Sequence, residues 1–334
     1  MSQRLKSLVV LLAVLLLIAG CGAKSITDSG ASPSASPEAA SANAERVIKH
    51  VRGEAKIKGT PKRIVALEWK YVEELLSLGI QPVGVADIAG YKKWISAKPE
   101  LAANVQDVGT RQEPSLEVIT SLKPDLIIAA GNRVKNNYEQ LSAIAPTLVF
   151  DQYLEDTSKN QYAEMESHFK VIADVVGKKT EADAVLADLN KSYEAAKAKL
   201  QAAGKAGTEY VLASASSNQN AVSFRLFLDN SAATEVLNRI GLKNAYKSQK
   251  YEANGFSAAS VESLLSVQQA DLLYVIQPDD DVFAKQLKDN DVWKSLKFVK
   301  ENRLYPLGGD MWLYGGPGSL KLLVEKTVEQ LTKK

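Results

Sequence analysis

Three arginines give the first indication of chemistry. Past residue 20 the chain holds eight arginines, so the placement of each is informative. Arg111 and Arg133 follow apolar runs ending at Gly109 and Ala130, and Arg225 lies just beyond the apolar run that opens the last third of the chain. A planar guanidinium donates two parallel hydrogen bonds to one carboxylate. Aromatic residues occur at comparable places: Trp69, Tyr91 and Trp94 early, then Trp312 and Tyr314 beside Gly315 and Gly316. Tryptophan and tyrosine bring apolar area with a hydrogen-bonding tip. Together the two sets suit a small anion with an organic shell. Singly, each arginine could be a solvated loop charge and each aromatic a core residue. Glu68 fits less simply, because a carboxylate repels an anionic ligand unless it orients an arginine.

Other chemistries find little support. A two-lobed nucleotide or ester enzyme is the rival class, but no G-x-G-x-x-G follows Val65–Leu67 and no Walker sequence or Ser/Cys elbow occurs. The turn Gly315-Gly316-Pro317-Gly318 is a weak nucleotide signal. A naked metal site would need clustered His, Tyr, Asp or Glu. The two histidines, His50 and His168, have no such spacing, so neither a metal site nor a cofactor is expected.

The elements that must position these residues show in the hydrophobic pattern. Arg63–Glu68 reads as a strand, Tyr71–Leu78 as a helix ending at Gly79, and Pro82–Ala86 as a second strand. The alternation continues with a weak strand at Val105–Val108, helix Ser115–Leu122, strand Asp125–Ala130, helix Tyr138–Ile144 and strand Thr147–Phe150. Such βαβ alternation makes a parallel sheet. From Tyr162 to Leu200 apolar residues recur every three or four positions, with a break at Gly177 and a T-x-x-D capping box at Thr180 and Asp183. A second α/β lobe follows Gly207. It echoes the first: Ser115-Leu-Glu117 before Asp125-Leu-Ile-Ile is matched by Ser260-Val-Glu262 before Asp271-Leu-Leu. Two such lobes leave a cleft at the carboxyl ends of their strands, where ligands of open sheets bind.

The start of the chain predicts where it works. Arg4 and Lys6 precede an apolar run over Leu8–Ala19, too short for a membrane span of ~20 residues. The run ends in Ile18-Ala19-Gly20-Cys21, which reads as a lipoprotein leader with Cys21 as the diacylated residue. Cys21 is the only cysteine, so no disulfide is expected. The Ala-, Ser- and Pro-rich stretch after it is a tether. Without Arg4 and Lys6, 39 basic side chains balance 39 acidic ones, so no overall field draws nucleic acid. The expected organisation is a signal peptide over 1–20, a tether over 21–44, a first α/β lobe over 45–158, a helical segment over 159–204 with the inter-lobe helix, and a second α/β lobe over 205–334.

Five stretches carry a family resemblance: R63-I-V-A-L-E-W69, G79-I-Q-P-V-G-V-A-D87, V108-G-T-R-Q-E-P-S-L-E117 with L122-K-P-D-L-I-I, S223-F-R-L-F227 and D310-M-W-L-Y-G-G316. The chain resembles the iron–siderophore substrate-binding lipoproteins of ABC importers over most of Ile48–Leu331, close to the ferric-citrate and hydroxamate members. The resemblance implies two Rossmann-like lobes bridged by a long α-helix, the helical-backbone periplasmic-binding-protein fold, with little closure on binding. It implies a ligand-binding protein, not an enzyme, that captures a ferric siderophore. The arginines favour a citrate-type chelate over a trihydroxamate, a corrinoid or haem, for which Met311 would be the candidate ligand. Iron would be held only through its chelate. Ligand-binding residues are then Arg111, Arg133, Arg225, Trp312, Tyr314, Trp69 and Tyr91. Glu117 and Glu262, matched in the two lobes, would dock on the two subunits of a permease powered by a cytoplasmic ATPase. Their alternative role is interaction with a helix dipole. A monomer is expected, anchored by lipid on the extracytoplasmic face of the membrane, with a tether that suits a Gram-positive surface.

Overall fold

The computed structural model describes residues 45–151, 156–157, 159–218 and 221–333. The leader, the tether and Cys21 lie outside the described residues. An antiparallel hairpin, β1 (Glu45–His50) and β2 (Gly53–Lys58), leads in. The first lobe then runs β3 (Ile64–Ala66), α1 (Trp69–Ser77), β4 (Gly84–Val85), α2 (Ile88–Trp94), β5 (Gln106–Asp107), α3 (Leu116–Ser121), β6 (Leu126–Ala130), α4 (Tyr138–Ile144) and β7 (Thr147–Phe150). Its sheet has the order β5-β4-β3-β6-β7, and every neighbouring pair is parallel. β3 and β6 are buried along their whole length, as continuous apolar runs in a two-sided parallel sheet must be. Chain order reverses between β3 and β6, the switch point outside which ligands of open sheets bind.

The second lobe contains β8 (Glu209–Asn218), β9 (Ala221–Phe227), α7 (Ala232–Arg239), β10 (Lys243–Asn244), β11 (Phe256–Ala259), β12 (Asp271–Val275), α8 (Asp291–Ser295), α9 (Lys297–Lys300), β13 (Leu304–Pro306) and α10 (Pro317–Thr332). Its sheet is mixed, ordered β11-β9-β8-β12-β13 with β10 on the start of β8. β8, β12 and β13 are parallel, whereas β9 runs antiparallel to both β8 and β11. The repeat between the lobes is therefore partial: Leu116–Ser121 is α-helical, while its counterpart Val261–Val267 forms a 3₁₀-helix.

Two helices join the lobes' halves of the chain, α5 (Gln161–Val175) and α6 (Lys179–Ala202). Gly177, at φ +69°, ends α5 in the left-handed conformation that favours glycine. The capping box expected at Thr180 is not what starts α6. The helix begins at Lys179 with Lys178 as its N-cap, which leaves Thr180 already inside the first turn. At 24 residues α6 is ~36 Å long. Ala182 and Leu186 pack into the first lobe's core, and Leu189, Tyr193, Ala196 and Leu200 into the second's. The bridge is thus part of both cores.

The C-terminal helix ties the lobes a second time. Gly316, its N-cap, has no side chain to satisfy the first amide groups. Glu73 of α1 does so instead: Ser319 donates its backbone N–H at 3.0 Å and its hydroxyl at 2.7 Å to the Glu73 carboxylate. A side chain at Gly315 would put its Cβ 2.7 Å from Glu73 Oε1, so only glycine allows this approach.

Candidate ligand-binding cleft

A cleft of about 420 Å³ lies between the lobes, within the size range of small-molecule sites. Its first-lobe wall is Trp69, Trp94 and Arg111; its second-lobe wall is the β8–β9 hairpin, with Ser214, Ser216, Ser223 and Arg225. Met311, Trp312 and Tyr314 form the floor.

The first wall is built around one buried carboxylate. Glu68 follows β3 and is 1 % exposed. It caps α1, its Oε1 accepting from the Trp69 amide at 3.0 Å. The same oxygen accepts from an Arg111 terminal nitrogen at 2.8 Å, and Oε2 accepts from Arg133 Nε at 3.1 Å. One carboxylate thus fixes two arginines from loops after β5 and β6. Arg111 is brought back by a tight turn: Gly109 sits at φ +93° and pairs with Pro114 across an isolated bridge. Its guanidinium carbon lies 3.6 Å from the Trp69 ring centroid, a cation–π contact. Asp87, the N-cap of α2, brings Oδ2 to 3.8 Å from Arg111 Nε.

Strand alternation orders the opposite wall. Phe224 and Leu226 face the core of the second lobe, so Ser223 and Arg225 turn toward the cleft. Register sets Ser214 opposite Arg225 and Ser216 opposite Ser223. Arg225 stands exposed over the Phe256 ring at 5.0 Å, with a terminal nitrogen 3.5 Å from the Tyr314 hydroxyl. It lies just beyond the opening strand β8, as the sequence suggested, in β9, the returning arm of the hairpin.

Trp312 is the keystone. It comes from the loop before α10 yet packs edge-on against Trp69 (4.8 Å), Trp94 (6.2 Å) and Tyr314 (5.2 Å). At the rim, Lys93 Nζ meets Asp279 Oδ2 at 2.7 Å across the lobes, and the Ser96 amide donates to the Asp310 carbonyl at 3.3 Å.

The expected site residues therefore divide. Arg111, Arg225, Trp69, Trp312 and Tyr314 line the cleft. Arg133 stands behind it, tied to Glu68. Tyr91 does not reach it: α2 turns the ring into the first lobe's core, where it is 3 % exposed and burial raises the hydroxyl pKa. Glu117 and Glu262 are exposed in the first turns of their matched helices, and Ser260 donates to Glu262. Trp94, one of the early aromatics singled out in the sequence, also lines the cleft, and the hairpin serines join the site unannounced. The alternation Ser214–Ser216 and Ser223–Arg225 was their only signal, and serine is too common in turns to stand out.

Among the described residues no group of three or more His, Cys, Asp or Glu could hold a metal ion. His50 contacts Tyr138, and His168 stacks on Phe150, where burial pushes its pKa down to about 3.

Known proteins resemble the chain in sequence and fold. The chain is 34 % identical over 303 residues to the Fe(3+)-citrate-binding protein YfmC of Bacillus subtilis (strain 168), covering 91 % of this chain and 89 % of that protein. It is 31 % identical to the iron(3+)-hydroxamate-binding protein FhuD of Escherichia coli (strain K12), covering 76 % and 82 %. The crystal structure of the siderophore-binding protein FhuD from Vibrio cholerae bound to Fe3+–Desferal superposes with a TM-score of 0.73 at 32 % identity, over 81 % of this chain and 98 % of that one. These relatives are binding proteins, not enzymes. With the periplasmic binding protein family matched over residues 64–311, the chain belongs to that family.

Proposed function

We propose that this protein captures a ferric siderophore outside the cell and delivers it to the permease dimer of an ABC importer, driven by a cytoplasmic ATPase. The observation that carries the reading is the pairing of Arg111 and Arg225 on opposite walls of a cleft floored by Trp312 and Tyr314. Two guanidinium groups facing one space suit the carboxylate edges of a chelate, and the indoles suit its organic shell. A citrate-type chelate fits best, and kinship with a Fe(3+)-citrate-binding protein supports that choice. The iron travels as cargo inside the chelate. Glu117 and Glu262, one exposed acid per lobe, are the proposed docking points for the two permease subunits. Cys21 is the proposed lipid anchor, which keeps the monomer on the extracytoplasmic face.

A trihydroxamate is the second reading, favoured by the aromatic share of the cleft and by kinship with hydroxamate-binding proteins. Tryptophan fluorescence separates the two, since Trp69, Trp94 and Trp312 all touch the cleft. Saturable quenching by a ferric citrate-type chelate is expected, absent with the iron-free chelator. Arg111→Ala and Arg225→Ala should each weaken it at least ~tenfold, the loss of one charge-assisted contact. Unchanged affinity in both variants would dismantle the proposed site.

A further inference from the structure

The charges around the cleft are unevenly compensated. Arg111 is held by Glu68 at 2.8 Å and faces Asp87 at 3.8 Å, and Arg133 is held by Glu68 at 3.1 Å. Both arginines belong to the first lobe, and neither is more than 18 % exposed along its side chain. Arg225, on the second wall, is exposed and has no ion-pair partner among the described residues; its contacts are the Phe256 ring and the Tyr314 hydroxyl. The buried carboxylate behind Arg111 lowers the net positive charge that the first wall offers a highly charged anion. Like charges in a partly desolvated site repel strongly.

We infer that Glu68, assisted by Asp87, sets the charge selectivity of the cleft. The pair cancels the first-lobe arginines and leaves Arg225 as the uncompensated charge. The ferric chelate that fits then carries little net negative charge and presents a carboxylate toward the second-lobe wall. Ser214, Ser216 and Ser223 flank Arg225 there and can donate to the amide, hydroxyl or hydroxamate oxygens of the same ligand. Glu68 is on this account a positioning residue that acts through Arg111. The inference rests on the proposed function and refines its ligand: a mixed chelate, part carboxylate and part neutral donor, in preference to a multiply charged one.

Glu68→Gln tests it. The variant keeps the size and one acceptor oxygen but removes the charge. Asp87→Asn is the companion: asparagine still caps α2 and tolerates the left-handed backbone at φ 57°. Titration of the full mature protein with ferric citrate, which is anionic, and ferric Desferal, whose iron core is neutral, gives a ratio of dissociation constants. Glu68→Gln should shift that ratio toward the anionic chelate by ~tenfold or more, and Asp87→Asn by ~threefold in the same direction. The shift should shrink as salt is raised. A merely structural role would weaken both ligands in parallel. An unmoved ratio in the two variants overturns the inference while the functional reading stands. If Glu68→Gln does not fold, Asp87→Asn alone decides. If the unaltered protein binds neither chelate, the functional reading falls and takes the inference with it.

Discussion

The contact between Glu73 and Ser319 offers a sharp test of how the lobes are held. Glu73 lies on α1 of the first lobe, is 3 % exposed, and accepts two hydrogen bonds from Ser319 at the start of α10, itself 2 % exposed. Each of the two hydrogen bonds contributes about 0.5–1.5 kcal/mol, and the loss of a helix cap costs ~1 kcal/mol. Glu73→Ala and Ser319→Ala should therefore each destabilise by ~2–3 kcal/mol. The double variant should fall short of the sum by about 1–3 kcal/mol, because each single change already removes the shared bonds. Burial, only partly offset by the Ser319 and Gly316 bonds, raises the Glu73 pKa from 4.5 to about 7. A raised folded-state pKa means a stabilising contribution that is complete below about 4.5 and is lost as pH rises through about 7. Glu73→Ala removes that contribution, so its cost should be larger at pH 5.5 than at pH 8. Urea unfolding of the two single variants and the double, at both pH values, measures all of this. A coupling below ~0.3 kcal/mol, or equal costs at the two pH values, would refute the reasoning.

Two further perturbations follow from the structure. Glu117→Ala combined with Glu262→Ala should leave chelate affinity unchanged and impair iron uptake in cells; normal uptake would remove the docking role. Burial, with the Lys70 and Lys159 charges adding to it, lowers the His168 pKa to about 3, so its contribution is present above pH 6.5 and lost as pH falls toward 3. His168→Phe should relieve ~2 kcal/mol of destabilisation at pH 5, read as a flatter acid limb in urea midpoints between pH 7 and pH 5.

What could be read from the sequence depended on how local its cause was. β6 and β7 were legible because a fully buried strand must be a continuous apolar run, and α4 because its flanking strands bound it closely. Arg111 stood out by the scarcity of arginine. Glu68 was singled out as a carboxylate that could orient an arginine, but which arginines it holds was not legible, since its partners lie 43 and 65 positions away. Tyr91 was misplaced because a left-handed Asp87 sets the angle of α2 and turns the ring inward. Arg225 was placed beyond the opening strand, where it lies, but the strand that carries it went unread because β8 is rich in alanine and serine, types that do not signal where a long strand ends and a hairpin begins.

These features bear on how the cleft recognises its ligand. A hinge that closed widely would have to break α6 out of one of two cores, strip α10 of the cap supplied by Glu73, pull Trp312 from between Trp69 and Trp94, and part Lys93 from Asp279. Each contact spans the lobes, and the buried ones resist small displacements because packed side chains have few alternative arrangements. The cleft is therefore preformed, which spares the ligand the cost of ordering it. Discrimination must then come from the walls as they stand. On one wall a carboxylate at 2.8 Å already occupies Arg111, so an incoming ligand group competes with Glu68 for it. On the other, Arg225 waits among hydroxyls with no carboxylate to displace. A ligand that approaches with its carboxylate toward the second lobe and its neutral face toward the indoles meets both walls without opposing either.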